Sequence, residues 1–129
     1  MSESVKVLAV EPWFGGSHRA ALEGLAAHSS AEFKLITLPS RFWKWRMQGS
    51  AVSLASTTRE VVDSGFTPDV ILASSMLNVP AFVGLLRPVL QSVPVVLYMH
   101  ENQLTYALRE GEEPDHTYGF INYLSCLAS

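Results

Sequence analysis

Four polar residues, HENQ at positions 100–103, directly follow an apolar run of strand length. In parallel α/β sheets, ligands bind beyond the carboxyl ends of strands, so this concentration of polar side chains favours a ligand contact over packing. For His100, a core or capping role is the alternative. A metalloprotease motif is excluded, because the position four residues after His100 is Leu104 instead of a second histidine.

Two adjacent glycines, Gly15 and Gly16, lie in EPWFGGSHRA (11–20), where a strand pattern gives way to a helical one. A missing Cβ permits positive φ and lets a ligand approach the amides at a helix N-terminus, where anions are favoured. His18 could donate to an anion at the same mouth. The alternative is a tight turn with an exposed histidine. The G-x-G-x-x-G spacing and the Walker A lysine are both missing, so neither NAD nor a P-loop nucleotide is predicted.

The segment RFWKWR (41–46) alternates cations with aromatic rings. Proteins use this mixture to stack on bases while they neutralise phosphates. Because the segment follows the second predicted strand, it begins at the same edge of the sheet. The alternative is that both tryptophans cover the edge of the core while the cations extend into water.

The remaining polar groups complete no catalytic set. The acidic loop 110–113, with Asp115 and His116 beyond it, is typical of a solvated surface. Cys126 is the only cysteine and the histidines lack paired ligand spacing, so no metal site is predicted. The nucleophile motif G-x-S-x-G is also missing.

Strand and helix patterns alternate along the chain. Apolar runs at 5–10, 33–38, 70–73 and 93–99 predict strands buried in a parallel sheet. Helices are predicted to begin at a Ser17 cap, a Ser50 cap, Pro80 and an Asp115 cap. Their predicted inner faces carry Leu22, Leu25 and Ala26; Leu54, Thr58, Val61 and Val62; Phe82, Val83 and Leu86; and Tyr118, Ile121, Leu124 and Ala128.

This alternation predicts an α/β fold, a Rossmann-like parallel sheet with flanking helices. If the second strand lies on one side of the first and the third on the other, a crevice opens above the carboxyl end of the first strand. The glycine turn and the 74–78 turn would border that crevice, and the turn at 100–103 would lie close by.

Length and composition set further limits. A chain of 129 residues, 48% apolar and 16% charged, is expected to form one globular domain. The net charge of −3 argues against a generally basic nucleic-acid surface. No signal-peptide pattern is found in residues 1–13 and no run spans a membrane, so we expect a cytoplasmic protein without membrane contact. The last helical pattern reaches Ser129 without a stop signal, so we expect a fragment of a longer protein.

Six segments, in order and with similar spacing, resemble the N-terminal domain of the tRNA-queuosine α-mannosyltransferases, which are glycosyltransferase family 4-like enzymes of the GT-B fold. The segments are EPWFGGSH, TLPSRFWKWRMQGSA, LASSMLNVPAF, LRP, YMHENQLTYAL and YGFINYLSCLAS. YMHENQL and FWKWR are the most specific of them. Departures fall in connecting segments such as 57–67 and 110–116.

The resemblance implies a transferase with two Rossmann-like domains facing across a cleft. Residues 1–129 would be the N-terminal, acceptor-side domain, and the C-terminal nucleotide-sugar-binding domain would be absent from this chain. The donor would be GDP-mannose and the acceptor queuosine in the anticodon loop of tRNA-Asp, with retention of configuration and without a metal or other cofactor. Half a cleft cannot preorganise the reacting groups, so the chain alone is expected to be inactive.

The resemblance also implies roles for individual residues. Gly15 and Gly16 would lie against the diphosphate and sugar of the donor, with His18 at the same mouth. His100 would be the catalytic residue beside the transferred sugar. Acceptor-binding residues would be Glu101, Asn102, Gln103, Trp43, Lys44, Trp45 and Arg46. Two other functions stay open: a stand-alone nucleotide- or RNA-binding module, and a related glycosyltransferase with another sugar or acceptor.

Overall fold

The computed structural model describes residues 4–129, in which strands and helices alternate in the predicted order. The elements are β1 (Lys6–Phe14), α1 (Gly16–His28), β2 (Glu32–Pro39), α2 (Trp43–Asp63), β3 (Val70–Ser74), α3 (Val79–Leu90), β4 (Val95–Tyr98) and α4 (His116–Ala128). Residues 1–3, where the prediction of no signal peptide begins, lie outside the described residues. Within 4–129, none of the helices combines the length and the apolar character needed to cross a bilayer.

The four strands form one parallel sheet in the order β2-β1-β3-β4. The predicted α/β fold is confirmed, and the condition for a crevice above β1 is met because β2 and β3 lie on opposite sides of it. Because the strands are parallel, their carboxyl ends meet at one edge of the sheet. Residues that directly follow β1, β3 and β4 are therefore brought together.

The main core lies between the sheet and the helix pair α2 and α3. Leu8 of β1 and Ile71 of β3 face Leu54 of α2 and Phe82 of α3, and all four are at most 2% exposed. Burying a side chain of this size contributes about 1.5–3 kcal/mol. The other face of the sheet carries α1, whose Leu22 is buried. This packing fixes the sheet edge at which the polar residues gather.

Two of the four predicted helix starts are confirmed. Asp115 caps α4, since its carboxylate accepts a hydrogen bond of 3.0 Å from the Thr117 amide. Pro80 lies in the first turn of α3, where its missing N–H costs nothing. Asn78 is the N-cap of that helix, and its side chain accepts from the Ala81 amide.

The predicted caps Ser17 and Ser50 are wrong. The N-cap of α1 is Gly15, and no side chain caps that end. Ser50 lies buried inside α2, which begins at Trp43. Residues 43–48 are mostly good helix formers with no Gly or Pro among them, so the helix extends back through the aromatic and basic segment.

Several residues predicted on inner faces are exposed. Leu25 is 45% exposed because it borders a cavity of about 480 Å³ between α1 and the sheet instead of a packed core. Leu124 is 38% exposed and Ala128 is also exposed. The buried face of α4 uses polar side chains instead: the Ser125 hydroxyl accepts from the Val79 amide and donates to the Leu77 carbonyl. Apolar periodicity alone could not reveal that face.

The strand β4 was predicted to be buried on both faces, and this is wrong. Val96 and Tyr98 are each 52% exposed, whereas their neighbours Val95 and Leu97 pack against the main core. Tyr98 borders the same 480 Å³ cavity as Leu25. Side chains alternate between the two faces of a strand, so the α1 side of β4 is the less covered one.

Gly119 allows α4 to approach the segment that follows β4. An added Cβ would lie 2.6 Å from Leu104 Cδ2 and 3.2 Å from the Leu104 backbone nitrogen. We expect Gly119→Ala to lower the free energy of unfolding by about 1–3 kcal/mol, measured by urea denaturation. Gly84→Ala in α3, where a Cβ meets nothing within 4 Å, is the matched control. It should gain up to about 1 kcal/mol from helix propensity, and equal effects of the two variants would contradict the prediction.

Candidate functional site

A buried carboxylate lies at the centre of the polar cluster at the carboxyl edge of the sheet. Glu11 of β1 is fully buried. Its Oε2 accepts hydrogen bonds from the Ser74 hydroxyl at 2.7 Å and from the Trp13 amide at 3.2 Å. Its Oε1 lies 2.5 Å from His18 Nδ1. Glu11 thus connects β1, the end of β3 and the first turn of α1.

His18 lies between two carboxylates. While Nδ1 contacts Glu11, Nε2 lies 3.3 Å from Glu101 Oε1, and the imidazole is 6% exposed. Burial disfavours the charged ring, but the hydrogen bond and charge of Glu11, with a further contribution from Glu101, outweigh it and raise the pKa of His18. The alternative that His18 is an exposed first-turn residue is therefore wrong.

His100 stacks on His18. The ring centroids are 3.8 Å apart and the planes differ by 22°. Burial and then the charge of His18 lower the pKa of His100, although Glu11 and Glu101 oppose the shift. His100 Nε2 lies 3.9 Å from Glu11 Oε1, beyond hydrogen-bond distance. His18 therefore favours the charged form and His100 the neutral form, although the two rings are in contact.

The two positions of the turn require glycine for different structural reasons. Gly16 has φ of +52°, the left-handed region expected from the sequence. Gly15 has extended backbone, with φ of −168°. It has to be small because a Cβ there would lie 2.3 Å from Ser40 Oγ. With no side-chain cap, the first amides of α1 form a positive helix end beside His18.

A cavity of about 970 Å³ adjoins the histidine pair. Its walls include residues from the glycine turn, the start of α2, the segment after β4 and the start of α4. Among them are Gly16, His18, Trp43, Lys44, Glu101, Gln103, Tyr106, Arg109, Asp115 and Tyr118. The cavity is thus lined by aromatic rings together with charges of both signs.

The aromatic and basic segment divides between two surfaces. Trp43 packs against Tyr118 with ring centroids 5.0 Å apart, and Lys44 Nζ lies 5.5 Å from the Tyr118 ring centroid. Both residues line the 970 Å³ cavity. Trp45 is 72% exposed, and it and Arg46 are not among the lining residues. The structure brings only the first half of this segment to the candidate site.

The segment after β4 is held by polar contacts. Asn102 Oδ1 accepts from both the amide and the hydroxyl of Thr105, so this side chain stabilises a local turn. The Gln103 amide donates to Asn122 Oδ1, and Asn122 Nδ2 donates to the Ser75 carbonyl. Of the predicted acceptor residues in this segment, Glu101 and Gln103 line the large cavity, and Asn102 is not among its lining residues.

Within residues 4–129, Glu11, His18 and His100 bring their ligand atoms within 4.8 Å of one another, so their fit to a metal ion can be assessed. A metal ion binds an imidazole nitrogen along its lone pair, in the plane of the ring. The two rings are stacked nearly parallel, so their lone pairs do not converge on one point. In the arrangement described here, the cluster is suited to sharing protons.

Two residues of the cluster, Glu11 and Ser74, are not predicted as site residues from the sequence. Glu11 was assigned no role because it directly follows the apolar run 5–10, and Ser74 lies in a turn that was expected only to border the crevice. A carboxylate at the end of a buried strand was the available signal, because charged side chains are rarely fully buried without a partner.

Comparison with known proteins agrees with the sequence resemblance. Residues 6–129 match the family model described as tRNA-queuosine alpha-mannosyltransferase N-terminal. The tRNA-queuosine alpha-mannosyltransferase of Drosophila melanogaster is 39% identical over 127 residues, which cover 95% of this chain. The chain spans 32% of the length of that relative. No solved structure gives a significant match.

Proposed function

Because the chain belongs to the tRNA-queuosine alpha-mannosyltransferase N-terminal family, we propose that it is the acceptor-side domain of such a transferase. The whole enzyme would have the GT-B fold and transfer mannose from GDP-mannose to queuosine in the anticodon loop of tRNA-Asp, with retention. A C-terminal domain would hold most of the nucleotide. The proportion of the Drosophila relative that this chain spans supports that division.

The observation that carries the proposal is the pairing of an uncapped helix N-terminus with two stacked histidines at the sheet edge. The turn of Gly15 and Gly16 and the first amides of α1 would receive the diphosphate of the donor. His18, whose pKa is raised, would add positive charge there. His100 would lie beside the transferred sugar as the catalytic residue, and its neutral imidazole would donate one hydrogen bond and accept another.

The acceptor nucleoside would occupy the 970 Å³ cavity. Trp43 and Tyr118 offer rings for base stacking, and Lys44 offers a cation for a phosphate. Glu101 and Gln103 would contact the acceptor from the opposite wall. Asn102 would act indirectly, through the turn that it stabilises. Trp45 and Arg46 would contact the acceptor tRNA only if the tRNA also covers the outer side of α2.

We expect transfer without a metal ion, in line with the stacked geometry of the two imidazoles. The enzyme would act in the cytoplasm, where its tRNA substrate is found, without membrane contact. Catalysis depends on groups held on both sides of the reacting bond, so the 129-residue chain by itself would show negligible transfer.

The test is nucleoside mass spectrometry of queuosine-containing tRNA after incubation with GDP-mannose. The protein would comprise this chain and the C-terminal part that we propose follows it. We expect one hexose to be gained on queuosine. No gain is expected on the same tRNA with guanosine at that position, or with the 129-residue chain alone.

The two alternatives give other outcomes of the same experiment. Transfer from a different sugar nucleotide, or to a different nucleoside, would indicate a related glycosyltransferase and overturn the assigned substrates. Tight tRNA binding by the 129-residue chain, with no transfer by the longer protein, would favour a stand-alone binding module. Trp43 fluorescence would report such binding, because a stacked base quenches it.

A further inference from the structure

Glu11 carries no role in the proposed transfer, yet it is the most buried group of the polar cluster. We propose that Glu11 is a positioning residue that holds His18 as an imidazolium and thereby keeps the stacked His100 neutral. The assignment of charges stands on the geometry of the cluster. Its consequence for mannose transfer rests on the function proposed above.

The contacts of Glu11 are those of an ionised carboxylate. Oε2 accepts from the Ser74 hydroxyl and the Trp13 amide, and Oε1 faces His18 Nδ1 at 2.5 Å. A carboxylate in this position has donors on both oxygens. An uncompensated buried charge would cost several kcal/mol, so the cluster requires a nearby cation. Because His18 contacts Glu11 directly, it is the residue that supplies the cation.

Both ring nitrogens of His18 face an acceptor, since Nδ1 contacts Glu11 and Nε2 lies 3.3 Å from Glu101 Oε1. A neutral imidazole has only one N–H and would leave one of these contacts without a proton. The imidazolium donates from both nitrogens and satisfies both carboxylates. Within residues 4–129, Glu11 and Glu101 raise the pKa of His18, and His100 stacks on its ring.

The charge on His18 acts together with burial to keep His100 neutral. Two imidazolium rings with centroids 3.8 Å apart would repel each other, and water screens little in a buried pair. Tyr98 covers His100 further, with a centroid distance of 4.5 Å. His100 therefore keeps a free lone pair near neutral pH. Glu11 and Glu101 favour the charged form, but burial of the ring and then the charge of the stacked His18 outweigh them.

The direct test is long-range ¹H–¹⁵N NMR of the chain labelled on its histidine rings, followed between pH 5 and pH 9. We expect both nitrogens of His18 to be protonated at pH 7, with titration above the ordinary histidine range, and His100 to be neutral with titration below it. A neutral His18 at pH 7, or a charged His100, would overturn the proposal. Neither result depends on the acceptor or the donor of the transferase.

The proposal has two steps: Glu11 keeps His18 charged, and the charged His18 keeps His100 neutral. One variant tests each step. Glu11→Gln keeps the size of the side chain but removes its charge, so the titration of His18 should move to lower pH. Glu101→Gln is the matched control and should move it less, because Glu101 is more distant and its side chain is 27% exposed. His18→Gln removes the neighbouring cation, so the titration of His100 should move to higher pH. An unchanged His100 titration would overturn the second step.

Stability against pH gives a measurement that does not need a folded Glu11 variant. The raised pKa of His18 contributes stability that is complete below the ordinary histidine pKa and is lost as pH rises through the raised folded value. Above the ordinary histidine pKa, the free energy of unfolding in urea should therefore fall with rising pH in the unaltered chain, and less in His18→Gln. The lowered pKa of His100 acts below that pH and in the opposite direction. Parallel profiles would contradict a charged His18. In the longer transferase, Glu11→Gln should also shift the pH profile of kcat/KM, whereas a purely structural loss would lower it uniformly.

Discussion

Replacement of His100 by alanine is expected to lower kcat/KM for mannose transfer by about 10²–10³-fold in the protein that includes the C-terminal part. His100 lies at the carboxyl edge of the sheet and lines the 480 Å³ cavity. Its ring stacks on His18, which lines the 970 Å³ cavity beside the uncapped end of α1. Removing its imidazole would delete a hydrogen-bonding group beside the reacting sugar. The expected loss lies in kcat more than in KM, because such a group contributes most in the transition state.

The fold should survive this change. The His100 side chain is 9% exposed, yet none of the hydrogen bonds that anchor the segment after β4 comes from its ring. Circular dichroism of the variant should therefore stay close to that of the unaltered protein, while the lost packing against His18 and Tyr98 should lower the free energy of unfolding in urea without unfolding the chain. His28→Ala, an exposed histidine in the last turn of α1, is the matched control and should keep full activity. Unchanged transfer by the His100 variant would remove His100 from the site.

The fold could be predicted from the sequence because each strand is a short apolar run and each helix between them has a recognisable pattern. The order β2-β1-β3-β4 could be stated only as a condition, because the handedness of crossovers does not fix strand order until the sheet face that each helix covers is known. The helix boundaries were harder to predict. A serine is a good cap, but Ser50 lies inside the long helix α2, which begins seven residues earlier at Trp43 and continues through Gly49.

The candidate site could be predicted only in part. His18 and His100 were recognised separately, because the edge of a parallel sheet is a common binding place. That their rings stack depends on the way α1 and the end of β4 converge, which no local pattern records. Glu11 directly follows the apolar run 5–10, and the sequence pattern assigns it no role. The polar face of α4 was missed for a similar reason, since Asn122 and Ser125 act through hydrogen bonds to the β3–α3 turn.

Replacement of Trp43 by alanine is expected to weaken binding of queuosine-containing tRNA by about 5–150-fold, which corresponds to the loss of about 1–3 kcal/mol from one stacked base. Trp43 packs against Tyr118 and lines the large cavity with Lys44. The effect should appear in Kd for the tRNA and in KM, with kcat less affected, since the group binds substrate at a distance from the reacting sugar. Trp43→Phe should retain most of the affinity because it keeps an aromatic face.

Trp45→Ala is the matched control for Trp43→Ala. Both tryptophans lie in the first turn of α2, so the gain in helix propensity on substitution by alanine is the same for both. They differ in surroundings, since Trp45 is 72% exposed and Trp43 is 37% exposed beside the cavity. A larger loss for Trp43 would support an acceptor that enters the cavity. A larger loss for Trp45 would mean that the tRNA crosses the outer side of α2, and the acceptor would then have to reach His100 by another route.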